Sequence, residues 1–155
     1  MIKITIIDYG SGNVLSAQKS FIKITKDNNI KANVLISKNL DDIKNSTHLV
    51  LPGQGAFSTC MSGIKNTPGL ADELYEFAII KKRPFLGICV GMQMLANESE
   101  EKGQHKGLGW IEGRIKSIPN KNLKLPHMGW NTVKPTKEDN LIEISDDYYF
   151  VHSYY

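Results

Sequence analysis

Two cysteines, Cys60 and Cys89, among 155 residues are too few for a disulfide framework or a cysteine-based metal cluster. Long apolar runs are lacking too, which excludes a membrane span of the usual length. The N-terminal stretch Met1 to Ile7 is apolar but short and alternating, so it reads as a strand and not as a signal peptide, and a cytoplasmic location is expected. Charge of one sign is scarce: 19 Lys and Arg against 16 Asp and Glu leave +3, with the lysines scattered, so no nucleic-acid partner is expected. There is no internal repeat and no low-complexity tract. Hydrophobic content of 41% and charged content of 23% suit a soluble globular protein. The length predicts a single domain, residues 1–155, able to bury about two-thirds of the surface its unfolded chain exposes.

What is present reads as alternating strands and helices. Ile2 to Ile7 predicts a first strand, and Val14, Ala17, Phe21 and Ile24 recur at helical spacing with Lys19 and Lys23 outside. The turn between them, Asp8 to Asn13, holds a Gly-x-Gly. Leu15 stands where a dinucleotide fingerprint requires its third glycine, so that reading fails. Asn33 to Ile36 predicts a second strand, Leu40 to Lys44 a short helix and His48 to Leu51 a third strand. Thr67-Pro68 has the order of a helix start, with Leu70, Leu74, Phe77 and Ala78 as the buried face.

Strands separated by helices imply right-handed crossovers and a mostly parallel central sheet with helices on both faces, flavodoxin- or Rossmann-like. Residues 8–13, 52–55 and 89–93 then converge on the carboxyl edge of the sheet. The stretch Glu98 to Lys106 reads as a solvated polar loop. From Gly107 the period changes to two: Ile111, Gly113 and Ile115 predict a half-exposed antiparallel strand. Thr132-Val133 and Tyr148 to Tyr155 predict further strands, making the C-terminal third a β-rich extension.

The chemistry gathers around Arg83 to Gln93. Pro84 to Ile88 is an apolar run of strand length, Cys89 follows it at once, and helical character from Met92 to Asn97 comes after Gly91. A cysteine between strand and helix sits at a sharp bend with its sulfur exposed, and a helix start beside it favours the thiolate that attacks carbonyl carbon. The residues leave open a second reading, in which Cys89 is a small buried hydrophobe.

Gly87-Ile88-Cys89-Val90-Gly91-Met92-Gln93 resembles the nucleophile signature of the class I (triad) glutamine amidotransferases. Leu51-Pro52-Gly53-Gln54-Gly55-Ala56-Phe57 and Pro126-His127-Met128-Gly129-Trp130-Asn131 resemble further segments of the branch that feeds a cyclase in histidine biosynthesis. The likeness runs from Asp8-Tyr9-Gly10 to Phe150-Val151-His152-Ser153-Tyr154. It implies a glutaminase with Cys89 as nucleophile and an oxyanion hole formed by the backbone N–H groups of Gln54 and Val90. It implies that Gly53, Gly55 and Gln93, with backbone at Ser153 and Tyr154, hold glutamine. It implies a heterodimer with a (β/α)8-barrel cyclase, contacted through Tyr9, Asn13, Pro126, His127, Met128 and Trp130. Neither a metal nor a cofactor is expected.

One part of the family pattern has no counterpart. The triad histidine and glutamate belong to a later His-Pro-Glu segment, and no such tripeptide occurs here. The expectation is therefore a C-terminally incomplete copy, inactive or nearly so alone. Of His105, His127 and His152, only His152 is a candidate substitute base. The rival readings are another class I amidotransferase, such as one serving anthranilate or guanine synthesis or a sugar-pathway paralogue, a truncated partner-binding module, and a flavodoxin-like module whose Cys89 is structural.

Overall fold

A computed structural model describes residues 1–119, 124–136, 141–142 and 144–155, which divide into two compact units, Met1–Ile115 and Lys116–Tyr155. The first unit runs β1 (Ile2–Ile7), α1 (Val14–Asp27), β2 (Ala32–Ser37), α2 (Leu40–Lys44), β3 (His48–Gly53), α3 (Phe57–Asn66) and α4 (Leu70–Tyr75). A wide helical turn over Glu76–Ile80 then leads to β4 (Phe85–Cys89), α5 (Val90–Gln93), β5 (Ala96–Ser99), β6 (His105–Lys106) and β7 (Ile111–Ile115). Strands β1 to β4 form an all-parallel sheet in the order β2-β1-β3-β4.

Alternation along the strands divides the core between the two faces of this sheet. Ile4, Ile6 and Val50 pack with Val14, Ala17 and Phe21 of α1. Ile7, Leu49 and Leu51 pack with Phe57, Cys60, Met61 and Ile64 of α3 and with Leu70, Leu74 and Phe77. Helices on both faces of a parallel sheet make the doubly wound arrangement that the crossover argument predicts.

Several local expectations need correction. Ile24 is 58% exposed, so the buried stripe of α1 stops at Phe21 and Thr25. Thr67 does not cap α4: its hydroxyl donates to the Gly63 carbonyl at 2.9 Å, and Gly69, at φ 74°, begins the helix instead. The helix after Cys89 is only one turn, because Leu108 and Trp110 donate backbone bonds to Met94 and Leu95 and draw the chain into β5. The stretch Glu98 to Lys106 is not simply solvated. Ser99 is buried, and the Glu101 carboxylate accepts the Phe57 N–H at 2.7 Å, capping α3. Strand β7 runs parallel to β5, not antiparallel, while β6 supplies the antiparallel partner.

In the second unit β8 (His127–Val133) and β9 (Asp146–His152) pair antiparallel, from His127 opposite His152 to Val133 opposite Asp146. Residues 116–118 lie along the end of the chain, with Lys116 N–H donating to the Tyr155 carbonyl and Ile118 N–H to that of Ser153, each at 2.9 Å. The Leu125–Pro126 peptide is cis. Among the described residues no helix is long and apolar enough to cross a membrane.

Candidate active site

Cys89 ends β4 with φ 55° and ψ −119°, a backbone conformation that side-chain-bearing residues seldom hold, and its side chain is exposed. Such a bend forces the strand to turn into α5 within one residue and lifts the thiol clear of both. Val90, the first residue of α5, is buried; its N–H belongs to the opening turn, where helix donors lack intrahelical acceptors. With only one turn, α5 has little macrodipole, so the sharp bend defines the environment of the sulfur.

The neighbouring strand comes in close register. Gly53 at the end of β3 stands opposite Cys89, which puts the Gly53–Gln54 peptide beside the bend. A β-carbon on Gly53 would meet the Val90 carbonyl carbon at 2.7 Å, and one on Gly87 would meet the Met92 Cα at 2.6 Å. The bend therefore packs backbone against backbone, which only glycine permits. Gln54 and Gly55 are exposed, and Gly55, at φ 90°, has open space around it.

A third loop braces this pair. The Tyr9 hydroxyl donates to the Pro52 carbonyl at 2.7 Å, and Ser11 Oγ donates to the Gln54 carbonyl at 2.9 Å. Cys60 Sγ, on α3, lies 3.2 Å from Ser11 Oγ and donates weakly to the same Gln54 carbonyl at 3.4 Å. Burial first, and then the Cys60 thiol beside it, push the Tyr9 phenol well above the ordinary tyrosine range, so it stays a neutral donor. The loops 8–13, 52–55 and 89–93 thus meet at the carboxyl edge of the sheet.

Two residues fall differently from expectation. Tyr9, expected at a partner surface, is 5% exposed and acts as an internal brace. His152, the candidate substitute base, has both ring nitrogens occupied: Nε2 lies 2.9 Å from His127 Nδ1 and Nδ1 lies 3.0 Å from the Tyr154 carbonyl. Asn13 caps α1 by accepting the Ser16 N–H at 3.1 Å and remains exposed. Met128 and Trp130 are 61% and 72% exposed on β8. Gln93 closes α5 and is half-buried. The bracing roles of Ser11 and Cys60 were missed, since no local pattern joins residues 49 positions apart.

The sequence profile of the family "Glutamine amidotransferase class-I" matches residues 5–155. A curated relative from Rhodospirillum rubrum, "Imidazole glycerol phosphate synthase subunit HisH", is 41% identical, the match covering 99% of this chain and 74% of the relative. A protein of the same name from Pelagibacter ubique is 44% identical over 97% of this chain and 74% of its own length. The chain belongs to the HisH group of the class-I glutamine amidotransferases. A solved structure titled "Crystal structure of glutamine amidotransferase" shares the fold, with TM-score 0.68 at 17% identity over 96% of this chain and 70% of that one.

Proposed function

We propose that the chain supplies the nucleophile and oxyanion donors of the glutaminase subunit of imidazole glycerol phosphate synthase, which releases ammonia from glutamine in the cytoplasm for a (β/α)8-barrel cyclase partner. The observation that carries this reading is the strained bend at Cys89, with its exposed thiol set in register beside Gly53.

In the reaction the Cys89 thiolate adds to the carboxamide carbon of glutamine, forming a C–S bond while the carbonyl oxygen takes the negative charge. The backbone N–H groups of Val90 and Gln54 are the donors for that oxyanion. Collapse of the intermediate expels ammonia, which takes the proton the thiol gave up, and leaves a thioester. Water then adds to the thioester through a second oxyanion at the same donors, releasing glutamate and restoring the thiol. Gly53, Gly55 and Gln93, with backbone groups at Ser153 and Tyr154, are the glutamine-holding residues that the family likeness supports. The proton carriers are the histidine and glutamate of a His-Pro-Glu segment, a tripeptide that these 155 residues do not contain. Without them these residues bind glutamine but turn it over barely above background. Asn13, Pro126, Met128 and Trp130 are the residues proposed to contact the partner.

An electrophilic glutamine analogue tests the assignment. It should modify Cys89 and spare Cys60, and an excess of glutamine should slow the labelling. Labelling of Cys60 instead, or indifference to glutamine, would remove the nucleophile from this reading.

A further inference from the structure

The antiparallel register of β8 and β9 sets His127 directly opposite His152. Their rings meet through His127 Nδ1 and His152 Nε2 at 2.9 Å, and His152 Nδ1 continues to the Tyr154 carbonyl oxygen at 3.0 Å. Phe150 stacks on His127, with centroids 4.9 Å apart and planes at 26°, and lies 5.3 Å from the His152 ring, which limits rotation of both imidazoles.

The chemistry of the acceptors fixes the direction of these bonds. A carbonyl oxygen only accepts, so His152 carries its proton on Nδ1. A neutral imidazole protonated there offers Nε2 as an acceptor, so His127 must donate from its own Nδ1. The bonds therefore run one way, from His127 to His152 to Tyr154.

We infer that His127 and His152 are positioning residues that fix the Tyr154 carbonyl, and with it the Ser153–Tyr154 backbone, for glutamine. This rests on the assignment of that backbone to substrate in the proposed function. It gives His127 an inward role distinct from its neighbours on β8: Met128 and Trp130 alternate with it and are exposed, while His127 is half-buried against His152 and Phe150.

Two measurements on the full chain test it. Long-range proton–nitrogen correlation of the imidazoles, at a pH where both are neutral, should show His127 and His152 both in the Nδ1–H tautomer; an Nε2–H tautomer at His152 would overturn the relay. Glutamine affinity is then measured by calorimetry in a Cys89→Ala background. His152→Phe, which keeps a ring but deletes both nitrogens, should weaken glutamine about three- to tenfold, the worth of one hydrogen bond. His152→Asn, whose amide can donate to the Tyr154 carbonyl, should recover most of the loss, and His127→Phe should fall between. Equal affinity across the three variants would overturn the positioning role. If the parent chain shows the expected tautomers yet binds no glutamine, the substrate assignment fails and the inference falls with it, but the relay itself stands.

Discussion

Gly91 packs so tightly on the Leu51 carbonyl that a β-carbon at position 91 would overlap its oxygen. Helix α5 can begin directly behind Cys89 only because its backbone rests on β3 at that point. Gly91→Ala must push β3 and α5 apart, an overpacking cost of about 1–3 kcal/mol. Gly55→Ala meets open space and suffers only from its left-handed backbone, about 1–2 kcal/mol. Urea unfolding should accordingly show a stability loss in both, while Cys89 labelling by a glutamine analogue collapses in Gly91→Ala even when the protein is folded. Full labelling in folded Gly91→Ala would mean that the close packing is irrelevant to the bend.

Strain at Cys89 has a signature of its own. At φ 55° and ψ −119° a side chain of any kind is disfavoured, typically by about 1–3 kcal/mol, whereas glycine adopts the region freely. Cys89→Gly should therefore be more stable than Cys89→Ala by at least about 1 kcal/mol, the reverse of the usual order in a strand-to-helix junction. Equal stabilities in urea would show that the bend is relaxed. Iodoacetamide should meanwhile modify exposed Cys89 in the native chain and reach buried Cys60 only on unfolding.

The Tyr9 hydroxyl links a pH dependence to the brace on Pro52. Its folded-state pKa is raised by burial above the ~10 of an unfolded tyrosine. Below about pH 10 the phenol is neutral in both states and its bond to Pro52 counts in full. Above that, the unfolded chain releases a proton the folded chain keeps, so stability falls as pH rises. Tyr9→Phe should lose about 1 kcal/mol at pH 8 and show a shallower decline above pH 10, so the two chains converge. Parallel stability profiles from pH 8 to 11 would contradict the buried, neutral phenol.

The sheet and the bend were legible because their signals are local. Ile2 to Ile7 and His48 to Leu51 are apolar runs of strand length, and Cys89 sits between an apolar run and Gly91. Helix α3 was overlooked although Phe57, Cys60, Met61 and Ile64 keep helical spacing, because the intervening Ser, Thr and Gly are weak helix formers. The direction of β7 could not be read from alternation, which is the same in parallel and antiparallel strands. Residues Met92 to Asn97 read as helix on composition, but backbone bonds from Gly107, Leu108 and Trp110 claim Asn97, Met94 and Leu95 for a sheet edge. The Ser11–Cys60 and His127–His152 contacts join distant residues and exist only once the chain has folded.

Trp130 on β8 is 72% exposed, with Tyr149 edge-on beside it at 5.5 Å, and Met128 on the same face is 61% exposed. Large apolar side chains clustered in water are the usual anchors of a protein contact. Trp130→Ala should weaken association with the cyclase by about 2 kcal/mol, near thirtyfold in Kd. Ile24, also exposed but on α1, serves as the control, and Ile24→Ser should leave the affinity unchanged. The opposite ranking in a titration calorimeter would move the contact away from β8.

The same chain separates binding from turnover. Nucleophile and base act as a unit, so the absence of a base costs nearly as much as losing the nucleophile, roughly 10⁴ to 10⁶ in rate. His152 cannot stand in, because freeing either of its nitrogens breaks a bond to His127 or to Tyr154. The 155 residues with the cyclase should therefore bind glutamine yet release ammonia barely above background. Adding a segment that carries His-Pro-Glu, fused or in trans, should raise ammonia release by orders of magnitude, and Cys89→Ala should abolish the gain. Strong ammonia release by the unsupplemented chain that disappears on His152→Ala would instead place the base within these residues and reverse the assignment.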